Sequence, residues 1–213
     1  MPPDKTFRLP AFYPILDTEV AARHGIDPIL AASQILEAGA KILQFRHKGC
    51  FSRDVFSTLE RVGGLCREAG AMFVVNDRVD LAVLSGAALH LGQDDLTPSA
   101  ARMITGPNVV IGFSTHNEAH LRSAAAEPAD YLALGPIFGT ASKLNPDPTV
   151  GLAELKRLRS LTNRPLVAIG GIALKNARDV LEAGANSVAV IADLFADPGN
   201  LRARTAEWLA VTA

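Results

Sequence analysis

The sequence predicts a single-domain α/β protein, a closed (β/α)8 TIM barrel, and three observations carry that prediction. Short apolar runs alternate with longer helical stretches along the 213 residues, and strands bounded by helices imply βαβ units with parallel pairing. The segment Glu-Ala-Gly-Ala recurs at 37–40, 68–71 and 182–185, each time directly before a strand. A glycine there supplies the left-handed conformation that ends a helix. Eight such units in about 200 residues match the size of this barrel. An open doubly wound sheet is the competing architecture, but no G-x-G-x-x-G follows the first strand.

In order, the predicted strands are Phe12–Leu16, Ile42–Phe45, Phe73–Val75, Ala88–Leu91, Val109–Gly112, Tyr131–Leu134, Leu166–Ile169 and Ser187–Ile191. Helical patterns cover Pro28–Ala38, Arg53–Ala69, Ala119–Ala126, Leu152–Leu161 and Ala173–Ala183. Asp94 and Thr97 are the natural caps for a further helix after the fourth strand. Residues 1–10 read as an N-terminal extension and 11–213 as the catalytic barrel.

Composition narrows the class of function. Apolar residues make up 48% of the chain and charged ones 20%, as expected of a globular enzyme. A formal net charge of −1 without a basic block excludes nucleic acid as the main partner. No apolar run approaches a membrane span, and the N-terminus has no signal-peptide pattern. Cys50 and Cys66 form no CxxC pair and suit a reducing cytosol, so a cytoplasmic protein is expected.

In such a barrel the chemistry sits at the C-terminal ends of the strands. Those ends are polar here, whereas the opposite ends are mostly Ala, Gly and Pro. Along the second strand, Gln44, Arg46 and Lys48 alternate onto one face while Phe45 and His47 take the other. An amide, a guanidinium fork and an ammonium in one pocket suit phosphate recognition. Asp77 and Asp95 follow the third and fourth strands, and two hard carboxylates there suit Mg²⁺. Asn76 is placed to orient a polar group of the substrate.

The long segment 135–150 carries Lys143 between hydroxyl neighbours Thr140 and Ser142, a composition fit for a binding loop. Gly170 and Gly171 follow the seventh strand, and Ile191 and Ala192 the eighth, where backbone N–H groups commonly hold a phosphate. Among the histidines, His24 and His120 read as surface residues, His90 as a satisfied structural residue, and His116 as a contributor to substrate binding. No Ser-His-Asp or zinc spacing is present.

Taken together these motifs resemble the thiamine-phosphate synthases of the ThiE/TenI superfamily over nearly the whole chain. The resemblance rests on the run from Gln44 to Lys48, Asn76 to Asp80, His90 to Asp95, Ser114 to His116, Gly135 to Phe138, Thr140 to Lys143, and Ala168 to Ile172. It implies a Mg²⁺-assisted transferase of thiamine biosynthesis. Such an enzyme joins 4-amino-2-methyl-5-(diphosphooxymethyl)pyrimidine to 4-methyl-5-(2-phosphooxyethyl)thiazole, releasing diphosphate. Carried over, Arg46, Lys48 and Lys143 are the catalytic cations. Gln44, Phe45, Arg46, His47, Lys48, Asn76, Ser114 and Lys143 hold the pyrimidine diphosphate. Thr140, Ala141, Ser142, Gly171, Ile191 and Ala192 hold the thiazole phosphate, and Asp77 and Asp95 ligate Mg²⁺. The partners implied are small phosphorylated molecules, and the oligomeric state stays open, a homodimer included.

The chain departs from the family pattern at Gly139 (usually Pro), Ser142 (usually Thr) and Ala192 (usually Ser). Other readings remain on the same barrel. A TenI-like thiazole tautomerase typically lacks the acidic segment that Gln93, Asp94 and Asp95 supply here. A Schiff-base aldolase would have to use Lys48, and a non-catalytic phosphate-ligand sensor would keep the fold alone.

Overall fold

In the computed structural model, which describes residues 8–139 and 147–213, eight parallel strands close into one barrel in chain order. They are β1 (Phe12–Asp17), β2 (Ile42–Arg46), β3 (Met72–Asn76), β4 (Ala88–Leu91), β5 (Ile111–Thr115), β6 (Tyr131–Leu134), β7 (Leu166–Ile169) and β8 (Ser187–Val190). β8 returns to β1, so the sheet has no free edge to pair with another chain.

The helices are α1 (Thr18–Arg23), α2 (Pro28–Glu37), α3 (Arg53–Glu68), α4 (Val79–Ser85), α5 (Pro98–Thr105), α6 (Glu118–Ala124), α7 (Gly151–Arg159), α8 (Ala177–Glu182) and α9 (Leu201–Thr212). Side-chain caps start several of them. Asp17, Asp27, Ser52, Thr97 and Asn117 each accept from backbone N–H groups of the first turn, which are otherwise unsatisfied. At the other end of the helix, Gly39, Gly70 and Gly184 of the repeated segment adopt φ of +109°, +60° and +109°. The turn chemistry expected of that repeat is therefore present.

Alternation along the strands sorts side chains into two cores. The outward set, including Leu43, Phe45, Val75, Leu89, Leu132 and Ala168, packs under the helices. The inward set is layered. At the N-terminal end, Leu9, Ile42, Met72 and Val110 fill the floor. Tyr13, Val74, Ala88, Tyr131 and Val167 occupy the middle. Towards the C-terminal mouth the inward positions turn polar, and register aligns Asn76 with His90, His90 with Gly112, and Gly112 with Tyr131.

Two expectations need correction. β5 begins at Ile111 rather than Val109 and runs on through Ser114 and Thr115. Its last two residues are held by sheet pairing and by the Thr115 Oγ1 bond to the Ala133 carbonyl (2.8 Å). The periodicity also missed α1, α4 and α9. The first two are short, and α9 spreads its apolar residues around the helix.

Candidate active site

The mouth of the barrel holds a cavity of about 630 Å³, a volume ordinary for a small-molecule site. β2 sends Gln44, Arg46 and the following Lys48 into it, as the alternation predicts. The side chains of Phe45 and His47 take the other face, as the alternation predicts, and so lie outside the cavity lining that the family resemblance gave them. Phe45 is 1% exposed in the core beneath the helices. The His47 ring turns aside to Thr18 Oγ1 (2.7 Å) and lies edge-on to Phe51. A strand can present only alternate side chains to one face.

Each cation on β2 has an acidic partner. Arg46 pairs with Asp17, its direct neighbour on β1. Asp17 also caps α1 through its other oxygen, at 3.0 Å from the Glu19 and Val20 N–H groups. Lys48 Nζ lies 2.5 Å from Asp77 Oδ2.

Asp77 has φ +65°, a left-handed conformation found at no other non-glycine among the described residues. The conformation costs an ordinary residue on the order of 1 kcal/mol and is concentrated at functional sites. Its N–H still donates to the His90 carbonyl (2.8 Å), so the β3–β4 ladder continues while the side chain turns into the mouth. Asp95 arrives from the loop after β4, where its Oδ2 accepts from Gly92 N–H at 2.7 Å. Burial, and then the hydrogen-bonded and negatively charged Asp77 beside it, raise the Asp95 pKa above the usual carboxylate range. The two carboxylates are thus side by side at the cavity edge.

Asn76, 8% exposed, lines the same cavity, and its Nδ2 is buried with no partner among the described residues. A buried amide nitrogen without an acceptor is costly unless a ligand supplies one. Ser114, Gly171, Ile191 and Ala192 line the cavity as well. Gly170 and Gly171, at φ +96° and +65°, pass so close to Pro136 and Phe138 that a Cβ on either would lie within 2.7 Å of them. Thr140, Ala141, Ser142 and Lys143 lie outside the described residues.

His90 faces the interior and is fully satisfied, by Tyr131 OH (3.0 Å) and Ser114 Oγ (2.9 Å). Burial depresses its pKa to about 4, so the ring is neutral. His120 is a correction: it lines the cavity rather than the surface, edge-on to His116, with a buried Nδ1 lacking a partner among the described residues. His116 Nδ1 donates to the Gly135 carbonyl at 2.6 Å and faces Asp147 at 3.6 Å.

Sequence reasoning missed Tyr13 and Tyr131, whose hydroxyls meet inside the barrel at 2.9 Å. A signal was present: Gly112 stands beside Tyr131 in register, and only a residue without Cβ leaves that ring room to turn inward.

Fold and cavity together define a (β/α)8 barrel with a small-molecule pocket at its mouth, edged by paired cations and carboxylates. The chain belongs to the thiamine monophosphate synthase family, whose model matches residues 12–194. It is 44% identical over 210 residues to a thiamine-phosphate synthase from Koribacter versatilis, covering 96% of each chain. Identity is also 44% over 174 residues to a thiamine-phosphate synthase from Chlorobium phaeovibrioides, covering 81% of this chain and 83% of that one. Among solved structures, a thiamine phosphate pyrophosphorylase from Pyrococcus furiosus superposes with a TM-score of 0.83 at 31% identity, covering 94% of both chains.

Proposed function

We propose that the chain is a Mg²⁺-assisted thiamine-phosphate synthase of the cytoplasm, and that the residues gathered at the mouth perform the transfer. The observation that carries this reading is the pair Asp77 and Asp95, lining one cavity together with Arg46 and Lys48. Among the described residues the lining has more carboxylates than cations, with Asp94, Asp147 and Asp193 added to that pair. A bare diphosphate would be repelled from such a lining. The donor set fits Mg²⁺, which takes one or two protein carboxylates and fills its shell with water and substrate phosphate. Among the described residues there is no cluster of three or more His, Cys, Asp or Glu side chains able to enclose a metal, so a substrate-completed shell suits this site. When bound, Mg²⁺ would neutralise the charge that builds on the departing diphosphate.

The protein's own groups do the rest. Gln44 and Ser114 contact the pyrimidine unit from opposite sides of the mouth. Arg46 and Lys48 face the diphosphate, and the unpartnered Asn76 Nδ2 donates to it. Lys143 adds a third cation from the segment after β6. The C–O bond breaks with its electron pair leaving on diphosphate, and the aminopyrimidine methylene cation that remains is delocalised into the ring. The thiazole nitrogen then attacks that methylene. Neither step requires a protein nucleophile or base, so the work is alignment and charge stabilisation. Backbone groups at Gly171, Ile191 and Ala192, together with Thr140, Ala141 and Ser142, hold the thiazole phosphate.

The test is incubation with both phosphorylated heterocycles with and without Mg²⁺, following thiamine phosphate and diphosphate. Product should form with Mg²⁺, stop on chelation and resume on re-addition. Asp77→Ala and Asp95→Ala should each lower kcat by roughly 100-fold or more, the scale of losing one major electrostatic contact. Full Mg²⁺-dependent diphosphate release by both variants would end this reading.

A further inference from the structure

Five side chains from five strands form one unbroken hydrogen-bonded chain across the barrel, at the floor of the cavity. Gln44 Nε2 donates to Tyr13 OH (2.9 Å), Tyr13 OH meets Tyr131 OH (2.9 Å), Tyr131 OH meets His90 Nδ1 (3.0 Å), and His90 Nε2 meets Ser114 Oγ (2.9 Å). Tyr13 and Tyr131 are 1% and 0% exposed. Both ends of the chain, Gln44 and Ser114, line the cavity where the proposed pyrimidine substrate sits, as do Tyr13 and His90 between them.

Taken over these four contacts, the protons have one consistent order. Each phenol has one proton, and a neutral imidazole has one donor and one acceptor nitrogen. With the Gln44 amide donating into Tyr13, the Tyr13 proton passes on to the Tyr131 oxygen. The Tyr131 proton then goes to His90 Nδ1. A ring nitrogen that accepts that proton carries none of its own. The imidazole's single proton therefore sits on Nε2 and is donated to Ser114 Oγ. The serine is left with its own proton to give to the cavity.

We propose that Tyr13, Tyr131 and His90 are positioning residues that fix Ser114 as a hydrogen-bond donor towards the pyrimidine diphosphate. The direction matters because both the ring nitrogens and the diphosphate oxygens of that substrate are acceptors. A serine that spent its proton on His90 would offer them only lone pairs. The reverse order exists in principle, and it requires the Gln44 amide turned over, with its carbonyl towards Tyr13. One end of the chain thus dictates hydrogen-bond polarity at the other, across the width of the barrel. Asp95 and Lys48 act on His90 only through space, in opposite senses, and neither belongs to the chain.

The inference rests on the synthase reading of the cavity, and the experiment separates the two. Nitrogen-15 NMR of the wild-type protein, with His90 assigned by loss of its signals in His90→Gln, reads the tautomer directly. An Nε2–H, unprotonated Nδ1 pattern is expected, and an Nδ1–H pattern overturns the proposal. In kinetics, Tyr131→Phe removes the proton given to Nδ1 and should raise the KM for the pyrimidine diphosphate about 10-fold. The KM for the thiazole phosphate should stay unchanged. Ser114→Ala should cost much less in the Tyr131→Phe background than in the wild type, because both changes act on one contact. Tyr13→Phe is the second entry into the chain if Tyr131→Phe does not fold. Equal effects on both KM values, or additive losses, would reduce the chain to a structural role. If the wild type makes no thiamine phosphate, the synthase reading fails, and the tautomer measurement still decides the proton order.

Discussion

Asp95 accepts a hydrogen bond from Gly92 and still has a raised pKa, because burial and the adjacent Asp77 outweigh that bond. The sign of the consequence follows from linkage. A carboxylate whose folded pKa is raised opposes folding once it ionises, and the opposition disappears as pH falls through the folded value. Asp95→Asn should therefore raise the Tm of the metal-free protein at neutral pH. The gain should be modest, about 2 °C, because the group is partly solvated and screened. It should vanish under acid conditions where the wild-type carboxyl is itself protonated, while the Mg²⁺-induced rise in Tm should be lost in the variant. Thermal melts across pH, with and without Mg²⁺, check all three outcomes. At this scale the sequence was informative about chemistry and poor about partners. The strand end at Asp77 and the face of Gln44, Arg46 and Lys48 follow from alternation alone. That Arg46 is held by Asp17, or Lys48 by Asp77, depends on which strands become neighbours, and no local pattern carries that.

Strand β5 shows how packing overrides hydrophobic pattern. Val109 and Val110 attract a strand assignment, yet β5 runs from Ile111 to Thr115, and within it the residue beside Tyr131 is the one without a side chain. A Cβ on Gly112 would lie 2.0 Å from the Tyr131 ring and 2.4 Å from its hydroxyl oxygen. No rotamer change on residue 112 relieves that overlap. Gly112→Ala should destabilise the protein by roughly 3 kcal/mol, the upper range for overpacking a filled core, and should also displace the Tyr131 hydroxyl from Tyr13 and His90. Adding Tyr131→Leu should recover part of the stability without restoring pyrimidine binding. Urea denaturation of the single and double variants measures the recovery, and strict additivity would show that the ring is not what glycine accommodates. The helices were legible where they are long and one-sided, as in α2 and α3. α1 and α4, six and seven residues long, escaped the pattern, although α6 and α8 of the same lengths fell on predicted stretches.

At the scale of the whole molecule, α9 packs back on β1 and on the neighbouring helices α2 and α8. The sole tryptophan, Trp208, is fully buried and stacks on Phe12 of β1 with ring centroids 5.5 Å apart and planes 9° from parallel. Its indole N–H donates to Asp193 Oδ2 at 2.9 Å. The same carboxylate receives the Arg204 guanidinium through both oxygens, at 2.9 and 2.8 Å. Asp193 lies just past β8, next to Ile191 and Ala192 at the cavity edge. One carboxylate therefore ties the last helix to the segment proposed to hold the thiazole phosphate. Asp193→Ala leaves a buried indole N–H without its acceptor and Arg204 without its bidentate partner, a loss of about 2 kcal/mol. Urea unfolding followed by Trp208 fluorescence should show it as a lower midpoint with an unchanged slope, since the surface exposed on unfolding is the same. At temperatures where the variant is fully folded, the KM for the thiazole phosphate should rise several-fold while that for the pyrimidine diphosphate holds. A stability loss with both KM values intact would mean that α9 only closes the barrel and that Asp193 has no part in shaping the phosphate end of the cavity.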